Sequence, residues 1–241
     1  MEVEINGELL EYKDINDSVF VDILKTCFTN CMSVQFRWIE PMYGLYTNIK
    51  YIVEHDIPGD IVECGVWRGG MMQLAALTLK HLGDESRNLY LYDTFDGMPE
   101  PEDHDLNWDG LSAKSTWQTF TDAGKKWGFG GTLEQVRSTM LSTEYPQDKL
   151  VFVQGMVEDT IPGTIPETIS ILRLDTDLYS STRHELVELY PKLSVGGVLV
   201  IDDYGYYQGA RKATDEYMAQ NKVKMLLNRI HTSVHQGVKI E

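Results

Sequence analysis

The chain has few cysteines, Cys27, Cys31 and Cys64, and no C-x-x-C pair. An odd, unspaced set defines neither a disulfide framework nor a zinc site, and buried structural thiols are expected. Basic residues are also scarce, with 21 Lys and Arg against 37 Asp and Glu, a formal charge of -16. That excess repels phosphate backbones and anionic headgroups, so neither nucleic acid nor a membrane surface is an expected partner; neutral or cationic ligands and divalent metals are accepted more readily. No run of 18 apolar residues occurs, and the opening "MEVEINGELLEYKDINDSVF" lacks the basic start and apolar stretch of a signal peptide, so a soluble, cytoplasmic protein is expected. Internal repeats, low-complexity tracts and Pro/Ser-rich linkers are missing too, which leaves no place to divide the 241 residues into independent domains. What is present, 42% hydrophobic and 24% charged residues, is a globular composition with enough length for a substantial core.

Apolar, β-branched runs at 60–64 (DIVEC), 89–93 (LYLYD), 150–153 (LVFV), 169–174 (ISILRL) and 197–201 (GVLVI) read as buried strands. Between most of them lie helical patterns, at 70–82, 180–192 and 208–221. Strand-helix alternation predicts an α/β fold with a parallel sheet covered on both faces. Two further strand candidates, "KVKMLL" (222–227) and "HQGVKIE" (235–241), would pair as an antiparallel edge. Residues 1–55 read as an N-terminal helical extension, with helices near 17–30 and 41–55, preceding a ligand-binding domain over 56–241. The stretch from Thr94 to Lys149 is too long for a simple connection and starts where open α/β sheets bind ligands. It is expected either to cover a ligand as a lid or to be a disordered surface loop.

The turn in "DIVECGVWRGG" (60–70) puts glycines at 65, 69 and 70, which is not the G-x-G-x-x-G spacing of a dinucleotide fingerprint. Glu63 stands at its strand end, where a carboxylate would oppose a pyrophosphate but attract an ammonium or sulfonium. S-adenosylmethionine carries both cations and no phosphate. Asp93 ends the next strand 23 residues after Gly70, about the ~20-residue offset at which an acid bonds ribose hydroxyls in adenosine-binding folds.

"LRLDTDLYSS" (172–181) and "VLVIDDYG" (198–205) place Asp175, Asp177, Asp202 and Asp203 at the ends of two strands. If those strands pair, their ends lie roughly 5 Å apart, and the crowded carboxylates call for a hard divalent cation, Mg2+ or Mn2+ rather than zinc. A metal there could hold two adjacent oxygens of a diol or catechol, and Asp177, two positions from Asp175, is the candidate base. Among the histidines only His104, within 94–149, is placed to reach a substrate. Trp108, Trp117, Trp127, Phe129, Tyr204, Tyr206 and Tyr207 could line an acceptor pocket or serve packing.

At "PGDIVECGVWRGG" (58–70), "LYDTFDGMP" (91–99), "LRLDTDLYSST" (172–182), "YPKLSVGGVLVIDDYG" (190–205) and "ARKATDEY" (210–217) the sequence resembles the macrocin O-methyltransferase-like enzymes, which methylate sugar hydroxyls of macrolide and related antibiotics. The resemblance implies a class I methyltransferase (Rossmann-like), doubly wound sheet of seven strands with the last antiparallel. It implies Mg2+ on Asp175, Asp202 and Asp203, Asp177 as base beside Asp175, and Glu63, Gly65, Arg68, Gly69 and Asp93 around S-adenosylmethionine. "VQGMVEDTIP" (153–162) is similar to the family's adenine-side loop, which implies Gly155 and Met156 at the ring. A small glycosylated acceptor and a homodimer or higher homo-oligomer are implied as well. The competing readings are the same chemistry on a catechol, a Rossmann-type oxidoreductase, and a cofactor-binding protein without catalysis.

Overall fold

The computed structural model describes residues 2–5, 8–12, 14–31 and 38–241. The chain opens with a small antiparallel hairpin, β1 (Glu2–Ile5) and β2 (Glu8–Glu11), where the sequence suggested only helices. Helices α1 (Ser18–Cys27) and α2 (Glu40–Glu54) follow. The Asp17 carboxylate caps α1 by accepting from the amides of Val19 and Phe20, and it also accepts from the Tyr46 hydroxyl at 2.9 Å, which ties α1 to α2.

A seven-stranded sheet forms the centre. Its strands are β3 (Asp60–Cys64), β4 (Leu89–Asp93), β5 (Leu150–Gln154), β6 (Ile169–Leu174), β7 (Leu193–Ile201), β8 (Asn228–Arg229) and β9 (His235–Val238). The order across the sheet is β5-β4-β3-β6-β7-β9-β8; the first five strands are parallel, β9 is antiparallel to β7, and β8 is antiparallel to β9. Parallel strands need crossovers, supplied by α3 (Gly70–Leu82), α4 (Ala113–Asp122), α5 (Leu133–Leu141), the single turn α6 (Val157–Thr160), α7 (Tyr179–Leu189) and, ahead of the antiparallel edge, α8 (Gln208–Asn221). The pleat sends alternate side chains to opposite faces. Ile61, Leu91 and Ile171 join a core with α1, α2, α3 and α5, whereas Val62, Cys64, Leu172 and Leu174 join a second core with α7 and α8. All six residues of β6 are buried, as a strand covered on both faces requires.

The strand read at 197–201 begins four residues earlier, at Leu193, and two further stretches also differ from the sequence reading. Residues 222–227 form no strand: after Lys222 ends α8 in the left-handed region, Val223 and Met225 pack onto the second core, and pairing with β9 begins only at Asn228. Of the 94–149 stretch, α5 buries Val136 and Met140 in the first core and is the crossover between β4 and β5. The part in excess of a simple crossover, the insertion, is thus about 94–131. Among the described residues no helix is long and apolar enough to cross a membrane.

From β3 the chain moves outward through β4 to β5, then returns to place β6 on the other side of β3. The carboxyl ends of β3 and β6 flank this reversal, the point at which open α/β sheets bind ligands.

Candidate active site

At the end of β3 the chain turns through Gly65 (φ 84°) and reaches Gly69 (φ 81°), which caps α3. Both values lie in the left-handed region that favours glycine. Asp93 holds this turn: one carboxylate oxygen accepts from the amides of Val66 (2.7 Å) and Trp67 (3.0 Å), the other from Phe95 (2.7 Å). Three backbone amides therefore occupy most of the roughly four acceptor positions a carboxylate offers, a structural duty that the strand-end spacing did not reveal. Arg68 lies over the Trp67 ring, 4.5 Å from its centroid, and donates to the Gly130 carbonyl at 3.1 Å, linking the turn to the insertion. Gly155 donates to the Asp93 carbonyl at 3.0 Å, and Met156 caps α6. Gly65, Gly69, Asp93, Gly155 and Met156 thus line the carboxyl ends of three adjacent strands.

The acids gather on the other side of β3. Arg173, the penultimate residue of β6 and buried, donates one terminal nitrogen to Glu63 at 2.5 Å and to Asp175 at 2.6 Å, and the other to Asp202. Asp175 is shared with a second group, Asp175, Asp177 and Asp203, in which one carboxylate oxygen from each lies within 4.8 Å of the others. The grouping differs from the sequence reading: Asp202, expected as a metal ligand, is turned onto Arg173, and Asp177, expected only as a base, stands beside Asp175 and Asp203. The guanidinium holds Asp202, the first residue after β7, whereas Asp175 reaches both Arg173 and the three-acid group. Asp177 sits at φ 65°, a backbone state that aspartate tolerates better than most residues.

One buried cation does not neutralise five acids. Burial pushes Glu63 up to about 8 against the pull of Arg173, and burial pushes Asp202 up to about 7, again opposed by Arg173. Asp203 is held well above the usual carboxylate range by burial and then by the charge of Asp177. Its Oδ2 is buried without a hydrogen-bond partner. A closely spaced, oxygen-only group with an orphaned oxygen and unrelieved negative charge fits a hard divalent cation.

The insertion is stitched to this end of the sheet. Asp105, fully buried, accepts from the Glu102 amide (2.9 Å) and from the Tyr179 amide at the start of α7 (3.0 Å). Trp108 donates its amide to the Tyr206 carbonyl and Gln208 to that of Leu106, at 2.9 and 2.8 Å. Tyr207 faces Asp177, Asp203 and Asp105, and its hydroxyl is pushed up mainly by burial. The ring of His104 packs edge-on against Tyr179, 5.2 Å between centroids. Sequence reasoning missed Arg173 and Asp105. A lone arginine inside the apolar run "ISILRL" was a usable signal for the first, because an unpaired charge there would be prohibitive.

Glu185 is a further buried acid, next to Thr176. Both oxygens of Glu185 accept from the Thr176 hydroxyl, at 3.0 and 3.2 Å, and burial pushes the carboxyl up to about 8. The folded state therefore keeps a proton that the unfolded chain releases near its ordinary value of 4.5, so stability falls as pH rises from about 4.5 to about 8. Glu185→Gln removes this slope, and it raises the unfolding free energy at pH 8 by at least about 1 kcal/mol while changing little at pH 4.5. Urea denaturation at the two pH values checks it; an equal effect at both would show that the carboxyl is not the titrating group.

A parallel sheet with the order found here, a glycine turn after its first central strand and an antiparallel edge define a class I methyltransferase fold. The chain belongs to the macrocin-O-methyltransferase (TylF) family, which matches residues 39–235. It is 35% identical over 174 residues to the 8-demethyl-8-(2,3-dimethoxy-alpha-L-rhamnosyl)-tetracenomycin-C 4'-O-methyltransferase of Streptomyces olivaceus, covering 70% of this chain and 63% of that protein. Identity is 32% over 174 residues to the mycinamicin III 3''-O-methyltransferase of Micromonospora griseorubida, covering 70% and 66%. The matched stretch thus spans a little under two thirds of the length of these relatives. The solved structure of the O-methyltransferase NovP superimposes with a TM-score of 0.73 at 28% identity, covering 84% of this chain and 81% of that one.

Proposed function

We propose that the chain is an S-adenosylmethionine-dependent, Mg2+-dependent O-methyltransferase (Mn2+ serving as an alternative metal) that acts on a hydroxyl of a sugar carried by a small natural product. The observation that carries the metal part is the group Asp175, Asp177 and Asp203, with its orphaned Asp203 oxygen, at the end of the sheet where the glycine turn also opens. The sugar acceptor is supported by the relatives, whose names specify a rhamnosyl tetracenomycin and mycinamicin III as substrates.

Bound S-adenosylmethionine supplies the methyl group as an electrophile on sulfonium. Asp175 and Asp203 would hold a divalent cation, with Asp202 kept nearby on Arg173, and such an ion would make a neighbouring hydroxyl more acidic. Gly65 and Gly69 let the donor approach the backbone, Glu63 offers a carboxylate to its cationic end, Arg68 and Asp93 shape the turn, and Gly155 and Met156 meet the adenine side. Asp177 would take up the proton of the acceptor hydroxyl whose oxygen receives the methyl group, S-adenosylhomocysteine being the leaving group. The insertion, pinned through Asp105, excludes water from this end of the sheet.

Calorimetric titration with S-adenosylhomocysteine and then Mg2+ tests the reading, on the wild type and on Asp203→Asn. The wild type binds both; the variant retains the nucleoside and loses the metal. Because the variant also removes a crowded, unsatisfied acid, its metal-free Tm rises by roughly 2–4 °C for each kcal/mol gained, and added Mg2+ no longer raises it. A wild type that binds neither ligand, or an Asp203→Asn protein with unchanged metal affinity, overturns the proposal.

A further inference from the structure

We propose that Arg173 is a positioning residue shared by the two ligand sites, one guanidinium holding Glu63 at the donor turn and Asp175 and Asp202 at the metal end. The inference rests on the function proposed above and names a residue on which both halves of the site depend.

The three carboxylates that Arg173 joins come from three neighbouring strands. Glu63 lies on β3, directly across from Arg173 in the parallel register; Asp175 follows β6, and Asp202 follows β7. The side chain of Arg173 is only 6% exposed and that of Glu63 2%. Packing alone gives no reason for a charge at this place, since β6 is otherwise apolar apart from Ser170 and a well-fitted apolar residue commonly replaces a buried ion pair without loss of stability. The planar fork explains what an apolar residue could not do: two nitrogens in fixed geometry set the orientation of several carboxylates at once.

Each half of the site also holds a buried acid oxygen without a partner. Glu63 uses Oε1 on Arg173, and its Oε2 is buried with no hydrogen-bond partner. At the metal end Arg173 holds Asp175, and the neighbouring Asp203 keeps its own Oδ2 buried and unpartnered. Two orphaned acid oxygens therefore lie close to the acids that Arg173 holds, one on Glu63 itself and one on Asp203 beside Asp175, where the ammonium of the donor and the divalent ion are proposed. Residues that orient ligating carboxylates in this way matter for affinity nearly as much as the ligands themselves.

Arg173→Lys keeps the charge and loses the fork; Arg173→Gln loses both. Each purified variant and the wild type is titrated with S-adenosylhomocysteine alone and with Mn2+ alone, and folding is checked by circular dichroism and Tm. In Arg173→Lys both affinities fall together by roughly 10–100-fold with the secondary structure retained, and Arg173→Gln falls at least as far. Folded variants with wild-type affinities, or with only one ligand affected, overturn the proposal. Failure of both variants to fold overturns it as well, assigning Arg173 to the fold rather than to the ligands. If the wild type itself binds neither ligand, the function proposed above is what has failed, an outcome separate from a wild type that binds and variants that match it.

Discussion

Asp177→Asn lowers kcat by roughly two to four orders of magnitude, the usual contribution of a positioned general base, and leaves S-adenosylhomocysteine binding at the wild-type level. The amide has the shape of the carboxylate, and asparagine tolerates φ 65° as readily as aspartate, so the backbone turn after β6 is kept. The variant cannot take up a proton. Its effect therefore falls on the methyl-transfer step and not on the donor turn, which is built from β3 and β4. Single-turnover kinetics with a glycosylated acceptor that the wild type methylates, alongside calorimetry with the nucleoside, separate the two. A variant within threefold of the wild-type kcat removes Asp177 from the mechanism and transfers the role of base to another acid of the cluster.

The sheet was legible because its strands are short apolar runs between glycines and acids, and a strand buried on both faces has no other way to be written. The antiparallel edge was legible only in part. "HQGVKIE" contains the strand observed at His235–Val238, but "KVKMLL" has strand composition without a strand neighbour to pair with, and pairing rather than propensity decides there. Asp175, Asp177, Asp202 and Asp203 were visible as a group from two strand ends. Their division was not, because it is set by Arg173, and a sequence does not show which of four carboxylates a buried guanidinium will take. Spacing singled out Asp93 for ribose hydroxyls, yet it could not say that its oxygens hold the amides of Val66, Trp67 and Phe95. Asp105 was hidden among the acids of "PEPEDHDLNWDG": only the tertiary contact with the Tyr179 amide distinguishes it from its solvated neighbours.

Gly65→Ala has the largest expected effect on folding, because the donor turn and the metal end meet at this residue. Its amide donates to the Tyr92 carbonyl at 2.8 Å, while the Asp175 amide donates to the carbonyl of the preceding Cys64, also at 2.8 Å. A Cβ at position 65 would lie 1.9 Å from the Asp175 carbonyl oxygen and 2.6 Å from its carbonyl carbon. Both are backbone atoms of a paired strand end and cannot swing away. The φ of 84° adds conformational strain of roughly 1–3 kcal/mol, and the clash adds an overpacking cost of about 1–3 kcal/mol or more. Together they approach the roughly 5–15 kcal/mol that holds a domain folded. Gly83→Ala provides the contrast: its φ is 75°, but nothing lies within 4 Å of the added Cβ, so it carries strain without the clash. Urea denaturation of the two variants side by side should place Gly65→Ala at least about 2 kcal/mol below Gly83→Ala. Any folded Gly65→Ala protein must have moved the Asp175 backbone, and so it should bind Mg2+ more weakly even where S-adenosylhomocysteine still binds. Equal destabilisation of the two variants would mean that the ends of β3 and β6 are not in contact through Gly65, and the joining of the two half-sites at this turn would fall with it.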